Sequence, residues 1–173
     1  MRTWMLHALL IGSACGMALC GCGEATGMVG SGGSQNPIIG NWISQGADVA
    51  PLLASKPFYY TKITATFNTD GTYTVDGIDT SNKDTTFTGT WSAEQSSVPG
   101  IWNITVTQVQ PASTLAVGIY QIDTGSAPAH MEYEVVQTQP TNGLAPPTAD
   151  KGFGSTVFNG MQIATLIQKF DRQ

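Results

Sequence analysis

The stretch YYTKITATFNTDGTYTVD, residues 59–76, carries the pattern from which the fold follows. Tyr59, Ile63, Ala65 and Phe67 fall on one side, and Lys62, Thr64, Thr66 and Asn68 on the other, with Thr61 out of step. A period of two places successive side chains on opposite faces of a strand, so one face is dry and the other wet. Thr69-Asp70-Gly71 suits a tight hairpin, because glycine accepts a positive φ. The alternation then resumes, with Tyr73 and Val75 against Thr72, Thr74 and Asp76.

The same pattern continues along the chain. Phe87, Gly89 and Trp91 oppose Thr86, Thr88 and Thr90; Trp102, Ile104 and Val106 oppose Asn103, Thr105 and Thr107; Met131, Tyr133 and Val135 oppose His130, Glu132 and Glu134. Eight strands are expected, near 38–44, 58–68, 72–79, 85–92, 101–110, 115–123, 130–138 and 161–170. One short helix is expected within Asp48 to Ser55, with Pro51 as its first residue. Strands of this number joined by short hairpins can close on themselves and remove their edges. The expected fold is therefore all-β, an eight-stranded up-and-down antiparallel barrel with at most one short helix. Bulky residues share a face with Gly89 and Ala65, as in a packed interior, whereas a transmembrane barrel turns its apolar band outward.

The chain has 173 residues, enough for one domain, and 41% of them are apolar. Charged residues make up 11%, well below the usual fraction of about 25%, so threonine supplies much of the surface polarity. A formal net charge of −5 speaks against nucleic acid as a partner, since phosphate binding needs clustered Lys and Arg. Near the N-terminus, Arg2 precedes an apolar run from Trp4 to Leu19, the layout of a secretory signal, too short and glycine-rich for a membrane span. Leu19-Cys20-Gly21-Cys22 resembles a bacterial lipobox, with Cys22 as the acylated residue; Cys20 and Cys15 fit the motif worse. The expected organisation is a signal peptide over 1–21, an acylated Cys22 with a Gly/Ser-rich tether over 22–36, and a barrel over 37–173. The tether would reach roughly 20 Å on average. Gly23 after the cysteine resembles outer-membrane sorting, so the expected location is the bacterial cell envelope. The lipid bilayer would then be a partner through the acyl anchor. No cysteine follows Cys22, which leaves no disulfide or thiol chemistry to the domain.

Gly40-Asn41-Trp42, then Phe67 to Tyr73 across a hairpin, then Gly89-Thr90-Trp91, resembles the bacterial lipocalin-like domains of the calycin group over most of 37–173. The resemblance implies that Trp42, following Gly40, plugs the closed barrel end. A basic residue would pack over it, with Lys169 the better placed and Arg172 behind it. The Thr-Asp-Tyr signature of many lipocalins is missing, Asp123-Thr124-Gly125 being the nearest stretch. A small apolar ligand is the implied cargo. Its lining would come from the inward aromatics Tyr59, Phe67, Tyr73, Phe87, Trp91, Trp102 and Tyr133. The same side chains could instead fill the barrel, since eight strands enclose just enough space for side chains or one small ligand; a structural or partner-binding lipoprotein is then the alternative. The long segment from Gln139 to Gly160, with Phe153 and Phe158, reads as a lid over the mouth, a partner-binding loop or a packed Ω-loop.

Catalytic signals are weak. His130 with Glu132 lacks a third metal ligand. Glu132 and Glu134 lie on an outer face with no apolar pocket to hold one carboxyl protonated. Asp76, Asp79, Asn82 and Asp84 offer oxygens for Ca2+ but miss the EF-hand spacing. No nucleophile elbow, P-loop or HExxH motif occurs. The expectation is a non-enzymatic protein without metal or cofactor.

Overall fold

A computed structural model describes residues 35–173; the expected signal peptide, Cys22 and most of the expected tether lie outside the described residues. The described chain forms β1 (Gly40–Gln45), β2 (Tyr60–Phe67), β3 (Thr72–Asp79), β4 (Asp84–Gln95), β5 (Ile101–Gln110), β6 (Thr114–Asp123), β7 (His130–Gln139), β8 (Leu144–Ala145), β9 (Val157–Phe158), β10 (Met161–Gln162) and β11 (Gln168–Arg172). Eight of these strands close into an antiparallel barrel in the order β1-β11-β7-β6-β5-β4-β3-β2. Each barrel strand pairs with its chain neighbour in the barrel, and β1 pairs with both β2 and β11, so the barrel itself has no edge strand. The three remaining strands form a small sheet of their own, order β10-β9-β8.

The β2–β3 hairpin shows how local chemistry sets the register. Gly71 sits at φ +81°, and Asp70 Oδ1 accepts from both the backbone N–H and the hydroxyl of Thr72. That turn pairs Phe67 with Tyr73 and Ala65 with Val75, which puts the apolar set inside.

At one end of the barrel Trp42 is fully buried, its Nε1 donating to the Ile38 carbonyl at 2.7 Å. The guanidinium that covers its ring, 4.4 Å from the centroid, belongs to Arg172. Arg172 also donates to the carbonyls of Ile39, at 3.0 Å, and Pro37. Lys169 is exposed, which corrects the expectation that it would fill this role. Parity along β11 explains the difference: Gln168 and Phe170 are buried inward, so Arg172 shares their face and Lys169 takes the opposite one. Gly40, at φ +131°, is required twice over. A Cβ there would lie 2.9 Å from Arg172 Nη1, in a backbone conformation that disfavours side chains.

Three further boundaries differ from the sequence reading. The last barrel strand is Gln168–Arg172, while Met161–Gln162 belongs to the small sheet. The helical segment is split into a 3-10 turn (Gly46–Asp48) and a single-turn helix, α1 (Pro51–Ala54), with Pro51 at its start as expected. In β2 the register shifts between Tyr60 and Lys62, so the chain slips by one residue at Thr61. Tyr59, at φ +54°, is therefore exposed, and Tyr60 takes the inward place expected of Tyr59.

Candidate ligand-binding cavity

The barrel interior has two halves of different character. Toward the Trp42 end it is filled: Phe67 stacks on Tyr73 and meets Trp91 edge-on at 5.6 Å, and Trp102 stacks on Tyr120. Tyr120 donates to Asn36 Oδ1 at 2.7 Å, so the last residue of the expected tether is fixed to this end. Tyr73, Trp91 and Trp102 thus pack the closed half, and none of them lines the cavity at the other end.

Toward the other end, beneath α1, lies a cavity of about 290 Å3. Phe67 forms its floor, and Phe87, Tyr133 and Phe170 form parts of its wall. Leu53 of α1, Phe58 and Leu166 complete it at the mouth from outside the barrel strands. Tyr60 lies directly over Gly77, where a Cβ would come within 2.7 Å of the ring, so the small residue makes room for the aromatic one.

Polar groups at the cavity are few and mostly committed. Buried Gln168 accepts from the Ala50 N–H at 2.8 Å and donates to the buried Ser44 hydroxyl, which pins the segment before α1 to the barrel. Leu52 N–H donates to the Thr165 carbonyl at 2.9 Å, joining α1 to the chain that carries Leu166. Burial pushes the Tyr133 phenol pKa well up, reinforced by the neighbouring Tyr73 and Tyr120, so Tyr133 is a neutral donor throughout the physiological range. No hydrogen-bond partner for its hydroxyl occurs among the described residues.

The segment from Gln139 to Gly160, for which a lid, a partner-binding loop and a packed Ω-loop were the alternatives, is held to the barrel's outer wall. Tyr133 and Val135 border the cavity, so Glu134 between them points outward. It is nevertheless fully buried. Glu134 Oε2 accepts from the Gly154 N–H at 2.6 Å, and Oε1 from the Thr156 N–H at 3.2 Å and hydroxyl at 2.6 Å. Ile119, paired with Glu134 across the β6–β7 ladder, and Val136 are likewise outward and buried, on the wall where this strap is held. Phe153 is half-buried and Phe158 is exposed, and neither borders the cavity. The expectation that Glu134 sits on a wet face is thereby corrected: the face is outer, but the chain folds back over it. A signal was present, since Val117, Ile119 and Val136 are apolar at outward positions, and an apolar outer face needs a cover.

The remaining polar candidates have local structural roles. His130 pairs with Asp171 at the surface. Asp79 Oδ1 accepts from Ser81 N–H, Ser81 Oγ and Lys83 N–H, and Asp76 accepts from Thr86, so these carboxylates organise the β3–β4 turn. Among the described residues no group of three His, Cys, Asp or Glu side chains converges. No protein-family model, curated protein or solved structure matches the chain.

Proposed function

We propose that this protein is a lipid-anchored protein of the bacterial envelope, lipocalin-like in type, whose barrel holds one small apolar ligand in the cavity beneath α1. The cavity carries the proposal. It lies just below the lower limit of about 300 Å3 typical of small-molecule sites, and it is lined almost wholly by apolar and aromatic side chains. The Gly40-Asn41-Trp42 corner capped by Arg172 supports the lipocalin-like reading, since it matches the arrangement the resemblance implies. The cysteine motif Leu19-Cys20-Gly21-Cys22 supports anchoring through Cys22, with the bilayer as partner. The protein then acts as a binding module and needs no catalytic group.

The test is extraction of the purified chain with organic solvent, followed by mass spectrometry, alongside its native mass before extraction. A stoichiometric mass excess that the extraction removes supports a carrier. A bare chain that also fails to bind apolar probes favours the structural or partner-binding alternative.

A further inference from the structure

We infer that the ligand is an uncharged, largely aromatic molecule of about a dozen non-hydrogen atoms with a single hydrogen-bonding group, received by the Tyr133 hydroxyl. The inference rests on the cavity reading above and adds the chemical class.

Size comes from volume. An apolar cavity of about 150 Å3 accepts benzene, so about 290 Å3 accepts a molecule roughly twice as large. Shape and polarity come from the wall. Six of its fourteen lining residues are aromatic: Phe58, Tyr60, Phe67, Phe87, Tyr133 and Phe170. Rings of this kind favour a flat partner, through offset or edge-to-face contact.

Charge is excluded by what the wall lacks. No Lys, Arg, His, Asp or Glu borders the cavity. The nearest basic residues of β11 are directed elsewhere, Arg172 to Trp42 and Lys169 to solvent. A carboxylate or ammonium carried inside would lose its hydration without gaining a counter-charge.

The single polar group follows from counting donors. The Gln168 oxygen is held by Ala50 and its amide nitrogen by Ser44, so this side chain is engaged in joining β1, α1 and β11. Tyr60 stands at the mouth, within reach of water. Tyr133 forms part of the wall between Phe67 and Phe170, and its hydroxyl has no protein partner among the described residues. Tyr133 lines the cavity, and a ligand oxygen accepting from its hydroxyl supplies the partner that the described residues do not.

The full chain is titrated calorimetrically at neutral pH with naphthalene, naphthol and naphthoate, as wild type and as Tyr133→Phe. Wild type is expected to bind naphthol about tenfold more tightly than naphthalene, the worth of one net hydrogen bond. Naphthoate is expected at least about a hundredfold weaker than naphthol. In Tyr133→Phe the naphthol preference should vanish while naphthalene binding stays within about twofold, which also shows that the barrel is intact. Naphthoate binding as well as naphthol, or a naphthol preference that survives in Tyr133→Phe, overturns the chemical class and leaves the cavity reading standing. Absence of binding by all three probes overturns the cavity reading and this inference together.

Discussion

Replacing Glu134 by alanine tests whether the segment from Gln139 to Gly160 is held against the barrel by one buried carboxylate. The substitution leaves three donors, Gly154 N–H, Thr156 N–H and the Thr156 hydroxyl, without the acceptor they now share. Hydrogen bonds to a charged group are worth about 1.5–3 kcal/mol each. Part of that sum is offset because a carboxylate no longer has to be stripped of water, and a net loss of about 3–5 kcal/mol results. Glu134→Gln keeps the shape and one oxygen but turns an amide donor toward at least one of the three donors, so it should cost about half as much. Amide hydrogen exchange reads the effect at the right place. Gly154 and Thr156 should exchange about a hundredfold faster in Glu134→Ala, the factor that about 3 kcal/mol implies, while the β2–β3 amides are much less affected. Unchanged protection at both amides, with a denaturation midpoint equal to wild type, would refute the strap assignment.

Three other expectations bear on the ends of the molecule and on pH. Trp42→Ala should destabilise by about 3–5 kcal/mol in equilibrium unfolding, while Lys169→Ala should stay within about 0.5 kcal/mol of wild type; equal losses would contradict the assignment of the cap to Arg172. Cys22→Ala should abolish labelling by a radioactive fatty acid and Cys20→Ala should leave it intact, so labelling that persists without Cys22 would end the lipobox assignment. Burial pushes the Tyr73 phenol up to about 12 from an ordinary value of 10.0. The folded state therefore keeps this proton where the unfolded chain releases it, and the resulting stability is complete below about pH 10 and lost as pH rises toward about 12. Tyr73→Phe should flatten that part of the stability profile, and an unaltered slope would place the phenol in contact with solvent.

Much of the barrel is legible in the sequence because its cause is local. Alternation from Ile63 to Phe67, an Asp70-Gly71 turn and a second alternation from Tyr73 suffice to fix a hairpin, and the pattern recurs at β5 and β7 with boundaries that match within a residue. What failed has physical reasons. The run Met161 to Phe170 has no strict period, so its division between the small sheet and β11 is decided by which partner strand is near. The slip at Thr61 is a bulge, visible in sequence only as a broken alternation, and it exchanges Tyr59 for Tyr60 at the mouth. Arg172 could have been preferred to Lys169 by giving Phe170 its inward place and counting two residues on. Burial of Glu134 depends on a contact some twenty residues away in the chain, which no local pattern carries. The cavity itself results from how the interior rings distribute. Sequence parity puts Phe67, Tyr73, Phe87, Trp91 and Tyr133 inside, but only packing divides them between a filled half and an open one.

The central proposal is that the open half of the barrel receives a ligand. Val75 borders that space from β3, and Val75→Trp fills it with a side chain of its own. Calorimetric titration of naphthalene into wild type and Val75→Trp, with circular dichroism confirming that both retain the barrel, measures the proposal directly. The predicted result is saturable one-to-one binding by wild type and none by Val75→Trp. Absence of saturable binding by wild type, or equal binding by the two proteins, would contradict it.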